Sequence, residues 1–247
     1  MSLPSDETMP GRSRRAGLAL VGVMALLTVV FIALGTWQVQ RLFWKLDLIE
    51  RVESRINAEP QAPPAPAQWT SINVRDHEYL RVTVSGRFRH DLETLVQAVT
   101  ELGPGYWVLT PLEQADGTTT LVNRGFVPGD RRDPASRAGG QIEGTTNVIG
   151  LLRMTEPGGG FLRANDQAGD RWYSRDVAAI AAAKGVSNIA PYFIDADAKP
   201  NPGGFPVGGL TVVRFRNSHL VYAVTWYVLA IMSAAAGVYV LRRSRDR

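Results

Sequence analysis

The sequence predicts a membrane α+β protein, two transmembrane helices carrying a mainly antiparallel β extracytoplasmic domain with a short helix. Three observations predict it. Residues 16–37 (AGLALVGVMALLTVVFIALGTW) and 220–241 (LVYAVTWYVLAIMSAAAGVYVL) are both free of charge over 22 residues, about 33 Å as helix and enough to span a bilayer. Short apolar runs punctuated by Gly, Pro, Asn and Asp recur between them, the signature of strands and tight turns. The charge is also lopsided. Residues 1–17 carry three Arg against two acids and residues 241–247 four Arg against one, whereas residues 35–218 hold 20 basic and 20 acidic side chains. The whole net charge of +4 therefore lies in the tails.

Taken in order, residues 1–15 form a cytoplasmic tail and 16–37 the first span. Arg12, Arg14 and Arg15 ahead of an apolar run also fit a secretory signal peptide. The run is long for one, however, and Trp37, Gln38 and Arg41 follow it without a small-x-small cleavage site, which favours an uncleaved anchor. Asp6 and Glu7 disfavour a mitochondrial presequence. Residues 38–59 continue the helix, with Val39, Leu42, Leu46, Ile49 and Ile56 as an apolar stripe and Trp37 and Trp44 at headgroup level. QAPPAPA at 61–67 stops it.

Residues 60–218 form the β-rich domain. YLRVTVSGRF (79–88) alternates, with Gly86 as a bulge, and DLETLVQAV (91–99) fits a strand or a short helix. GYWVLTPLEQADGTTTLVNRGFVP (105–128) reads as a hairpin turning at Asp116-Gly117, and Asn123-Arg124-Gly125 as a second turn beyond it. NVIGLLRM (147–154), PYFIDA (191–196) and LTVVRFR (210–216) complete the strands. Asp176 caps a helix over VAAIAAAK that Gly185 ends. Alternating strands of this number suggest a partly closed barrel. Residues 219–241 are the second span and 242–247 a second cytoplasmic tail. Positive ends place both tails in the cytoplasm and the β domain outside, so the pI of 9.6 reports topology and makes no case for nucleic acid.

The composition narrows the chemistry. With no cysteine, thiol redox and Cys-based copper delivery are excluded. HExxH, GxSxG and Walker signatures are missing, which argues against an enzyme. Of the three histidines, His77 and His90 read as solvated strand or turn residues. His219 differs by standing at the threshold of the second span, and helical spacing puts Tyr222 and Trp226 on its face. Such a stripe is either an interfacial anchor or an axial ligand with aromatic walls for a planar porphyrin.

LGTWQVQRLFWKLDLIERVESRI after the first span, LVNRGFVP, GQIEG at 140–144, YFIDAD at 192–197 and RNSHLVYAVTWY at the second span together resemble the Surfeit locus protein 1 (Shy) family. The resemblance implies an assembly factor for haem-copper cytochrome c oxidase in a bacterial inner membrane. Its partners would be oxidase subunit I and haem A synthase. It also implies transient binding of haem a, with His219 as the iron ligand and Tyr222 and Trp226 beside it. Arg41, Arg214 and Arg216 are then the candidates to meet the propionates. Relatives carry more basic residues after Arg41, where this chain has Leu42 and Phe43. Gly35, Thr36, Trp37, Gln38 and Arg41 match one family element and Asn123, Arg124 and Gly125 another, the latter without a chemical role. A membrane scaffold that stabilises assembly intermediates without haem fits the same resemblance.

Overall fold

The computed structural model describes residues 10–160, 162–211, 215 and 217–245. Its contacts divide into a helical unit and a β-rich unit, the divisions falling between Glu50 and Arg51 and between Val213 and Arg214.

The helical unit consists of two long helices. Helix α1 runs from Pro10 to Ile56 without interruption. Proline at its first residue costs no hydrogen bond, because the first turn has no acceptor for that N–H. None of the following 46 residues is a proline, and the helix stops shortly before Pro60. Helix α4 spans His219–Arg245. Both are long and apolar enough, by length and composition, to cross a membrane. The stretch 210–216, expected as a strand, has no regular structure at Leu210 and Thr211, and Val212, Val213, Arg214 and Arg216 lie outside the described residues.

The β-rich unit is built on a six-stranded sheet. Its strands are β1 (Arg81–Phe88), β2 (Thr94–Thr100), β3 (Gly103–Glu113), β4 (Thr119–Pro128), β5 (Thr145–Met154) and, after the two-residue pair β6 (Gly159–Gly160) and β7 (Arg163–Ala164), β8 (Ile189–Ala196). Helix α2 (Val74–His77) precedes β1, and α3 (Val177–Lys184) lies between β7 and β8. The order is β1-β5-β8-β4-β3-β2, and the end of β1 pairs again with β3 through Arg87↔Glu113 and Phe88↔Leu112. That second pairing closes the sheet into a barrel. The 3-10 turn His90–Leu92 bends the chain after β1, and β2 then continues along the same edge of β3, from Thr94↔Leu109 to Thr100↔Gly103. The pair β4–β8 is parallel and the other pairs are antiparallel.

Closure explains Gly86. Its pairing with Thr146 is in unbroken register, so it is not a bulge. It lies where β1 crosses from β5 to β3, and a Cβ there would collide with the Glu113 carbonyl oxygen. The register shift in the hairpin falls instead between Trp107 and Leu109.

Two apolar clusters fill the domain. Val82, Val84, Phe88, Leu112, Val122, Leu152, Tyr192 and Ile194 form one, and the strict alternation in β1 follows from facing it. Val96, Leu109, Leu121, Phe193 and Trp172 form the other, which α3 covers with Val177 and Ile180. Asp176 caps α3 by accepting from the Ala179 N–H at 3.1 Å, and Gly185 ends it at φ +66°. Strand β4 lies between the clusters and is buried from Thr119 to Val127.

That burial corrects the reading of Asn123-Arg124-Gly125 as a turn. All three lie inside β4. Gly125 has φ +130°, and a Cβ there would strike the Val207 carbonyl, which accepts from the neighbouring Phe126 N–H at 2.9 Å. The glycine serves a close backbone approach rather than a chain reversal.

Candidate functional site

The two long helices meet along a seam with a seven-residue period. On α1 it passes through Gly17, Met24, Phe31, Gln38 and Lys45. Their respective counterparts are Ser244, Gly237 with Ser233, Trp226, His219 and Phe215. One series ascends as the other descends, so the helices are antiparallel, with the heptad spacing of a left-handed pair. Small residues let them approach: Ala223 and Ala230 are buried, and an added Cβ on Gly35 would lie 2.9–3.1 Å from the Tyr227 ring. Thr36 Oγ1 and Tyr227 Oη are 3.1 Å apart, and Ser233 Oγ donates to the Met24 carbonyl at 3.0 Å.

His219 begins α4, and its Nδ1 lies 2.8 Å from Oε1 of Gln38. An amide oxygen only accepts, so Nδ1 is the donor and Nε2 is directed elsewhere. Orientation of one imidazole nitrogen by a hydrogen bond at the other is the arrangement that metal-ligating histidines use. Trp226 stacks on Phe31 with ring centroids 5.7 Å apart and planes inclined by 26°. Tyr222, expected on the same stripe, is 54% exposed, and the aromatics that meet α1 are Trp226 and Tyr227.

Arg41 lies one turn beyond Gln38, its guanidinium 4.8 Å from the Trp44 ring centroid, and no carboxylate pairs with it among the described residues. Arg214 and Arg216 are outside the described residues. Gln38 was not legible as a partner of His219, because 181 residues separate them. The available signal was its position, seven residues after Phe31 and fourteen after Met24 on a face otherwise committed to packing.

The β domain gathers the remaining motif segments. Asn123 donates from Nδ2 to Oδ1 of buried Asp195 at 2.8 Å, and its own Oδ1 accepts from the Gly125 N–H at 3.2 Å. Asp195 also accepts from Arg153 at 2.9 Å, Arg175 at 3.2 Å and Thr211 at 2.9 Å. Arg153 reaches on to Glu78 and Arg175 to Glu156. Glu156 is held below the usual carboxylate range because the Arg175 interactions outweigh its desolvation, the largest single effect. On the other face of β4, Arg124 donates to the Gly140 carbonyl and to Asn201 Oδ1.

His90 is not solvated either. It is half-buried, with Nε2 donating to the Ile142 carbonyl at 3.0 Å. His77 is half-buried in α2, where its Nδ1 accepts from the Asn73 N–H at 3.3 Å.

Comparison with known proteins identifies the family of the chain. Residues 25–231 match the SURF1 family. The chain belongs to that family. It is 40% identical to human Surfeit locus protein 1 over 225 residues, which cover 84% of this chain and 73% of the human one. It is 36% identical to a SURF1-like protein of Monosiga brevicollis over 259 residues, 99% of this chain and 96% of the relative. A SURF1-like protein of Caenorhabditis elegans is 30% identical, covering 94% and 79%. The segments that resembled the family thus sort into two groups here. The Gly35–Arg41 element and the His219 segment meet between the helices, while Asn123–Gly125, Gly140–Gly144 and Asp195 meet in the barrel.

Proposed function

We propose that this SURF1-family chain is an assembly factor for haem-copper cytochrome c oxidase that holds haem a at His219 and assists its insertion into oxidase subunit I. Haem A synthase is the natural source of the cofactor. The observation that carries the reading is the Gln38–His219 hydrogen bond, which fixes the imidazole while leaving Nε2 available.

The residues present suit such a group. An amphipathic porphyrin needs an axial nitrogen, apolar surface and cations for its propionates. His219 offers the first. Phe31 and Trp226 offer apolar surface about 10 Å deeper along the helices, and exposed Tyr222 a further aromatic near the histidine. Arg41 offers a cation one turn from Gln38, and Arg214 and Arg216 flank the start of α4 in sequence. Bound haem would supply a transferable iron porphyrin, and this chain's part is to bind and orient it. A single histidine held by a neutral amide suits reversible retention better than a closed site with two strong ligands. The basic tails and neutral middle support placement in a bacterial inner membrane, with both tails cytoplasmic and the barrel periplasmic.

The test is haem content of the full chain purified from cells that make haem a, at equal membrane abundance. His219→Ala should lose the haem spectrum. Gln38→Leu should keep ligation but weaken retention by about 10–100-fold, the usual effect of removing a partner that orients a ligand. Trp226→Leu should retain the spectrum, with about 1 kcal/mol weaker retention. Equal haem in the unmodified chain and His219→Ala would remove the ligand assignment and leave the scaffold role.

A further inference from the structure

Among the described residues, the barrel holds a buried cation with no carboxylate partner. Arg137 pairs with Glu93, Arg153 with Glu78 and Asp195, and Arg175 with Glu156 and Asp195. Arg124 is 2% exposed, yet among the described residues no carboxylate pairs with it. Its hydrogen-bonding partners are the Gly140 carbonyl, Asn201 Oδ1 at 3.2 Å and His90 Nδ1 at 3.5 Å, and it lies 4.8 Å from the Phe88 ring centroid. The carboxylate that acts on it from further away, Glu93, is already matched by Arg137. Burial is the largest cause that lowers the Arg124 pKa to about 10; the like charge of Arg137 adds to it and Glu93 opposes it.

Arg124 lines a cavity of about 240 Å³. Phe88, Val148 and Ile149 give it apolar wall, and Asn147 and Asn201 add amide groups. Asp197 and Lys199 also line it, and Asp197 Oδ1 accepts from the Lys199 backbone N–H at 3.1 Å. Their opposite charges offset each other, so Arg124 supplies the net positive charge. The volume falls below the roughly 300–1,000 Å³ of sites for drug-sized ligands.

We infer that this cavity is a binding pocket for a small carboxylate on a short apolar stem, with Arg124 receiving the carboxylate and Phe88, Val148 and Ile149 the stem. A bulkier or more highly charged anion would leave polar oxygens against the apolar wall, at a cost. The same chemistry belongs to a free short-chain acid and to the carboxyl end of a polypeptide. The inference is independent of the His219 reading. If Arg124 served only to tie Gly140 to Asn201, the cavity would not distinguish an acid from its amide.

The experiment titrates the full chain in detergent micelles with butyrate, butyramide, inorganic phosphate, and acetyl-glycyl-valine with its C-terminus free or amidated. Butyrate should bind at least about tenfold more tightly than butyramide, as a charge-assisted pair requires, and more tightly than phosphate. Thr146→Trp fills the cavity from a half-buried position on the Val148 face of β5 and removes no partner of Arg124, so it should abolish binding while the chain stays folded. Arg124→Gln, where it folds, should erase the preference for acid over amide. Tighter binding of the free-ended peptide than of butyrate identifies a polypeptide end as the ligand, and the reverse order a free acid. Equal affinity for acid and amide, phosphate binding as tight as butyrate, or undiminished butyrate binding by Thr146→Trp would overturn the inference.

Discussion

At the scale of single residues, His90 shows how a buried cation conditions its neighbour. Its Nε2–H donates to the Ile142 carbonyl, which leaves the Nδ1 lone pair facing the Arg124 guanidinium at 3.5 Å. Protonating Nδ1 would set two cations against each other. Desolvation is the largest effect on the ring and lowers its pKa below the ordinary 6.5; Arg124 and Arg137 add to this, and Ile142 and Glu93 oppose it. The sign follows from proton counts. Just below pH 6.5 the unfolded chain takes up a proton on this histidine that the folded chain refuses, so stability is complete above that pH and declines as pH falls through it. His90→Gln keeps a donor for Ile142 and removes the titration. The difference in melting temperature between about pH 7.5 and about pH 5.5 should therefore be smaller in the variant than in the unmodified chain. An identical difference in both would show that His90 protonates freely in the folded state.

Among the elements, the tightest glycine contact in the pairing of α1 with α4 is Gly35 against the Tyr227 ring. Gly35→Leu should drive the helices apart there and destabilise the pair by about 1–3 kcal/mol, the usual cost of overpacking. Tyr227→Ala in the same chain should restore part of that loss by making room. Thermal unfolding of the helical signal in detergent measures both, and a single variant as stable as the original would show that the seam is open at Gly35. Elements whose cause is local were legible in the sequence. Gly117 at φ +80° and the Asp116 side chain accepting from the Thr118 N–H make the hairpin turn within four residues, and Asp176 and Gly185 bound α3 as directly. Features whose cause is distant were not. Gly125 looks like a turn residue from its neighbours, but its requirement for glycine comes from Val207. Gly86 looks like a bulge, and its requirement comes from Glu113 across the barrel closure. His219 was visible from its place at the edge of an apolar run. Its partner Gln38, and the stacking of Trp226 on Phe31, required the seam to be built first.

For the whole molecule, the proposed orientation in a membrane rests on charge placement. The three Arg at 12–15 and the four Arg after Leu241 lie beside the two apolar helices, while the intervening chain balances 20 basic against 20 acidic residues. If the short basic flanks are retained on the cytoplasmic side, as proposed, the barrel is expected on the opposite face. The absence of cysteine allows a background-free test. Ala115 is exposed in the turn between β3 and β4, and Ser13 lies among the first basic residues. In spheroplasts, a membrane-impermeant maleimide should label Ala115→Cys directly and Ser13→Cys only after permeabilisation. A detergent-solubilised control must label both, so that burial is not mistaken for sidedness. Labelling of Ser13→Cys but not Ala115→Cys in intact spheroplasts would reverse the orientation. The barrel and its Arg124 cavity would then face the cytoplasm, where the carboxylates available to it belong to a different pool of metabolites and chain ends.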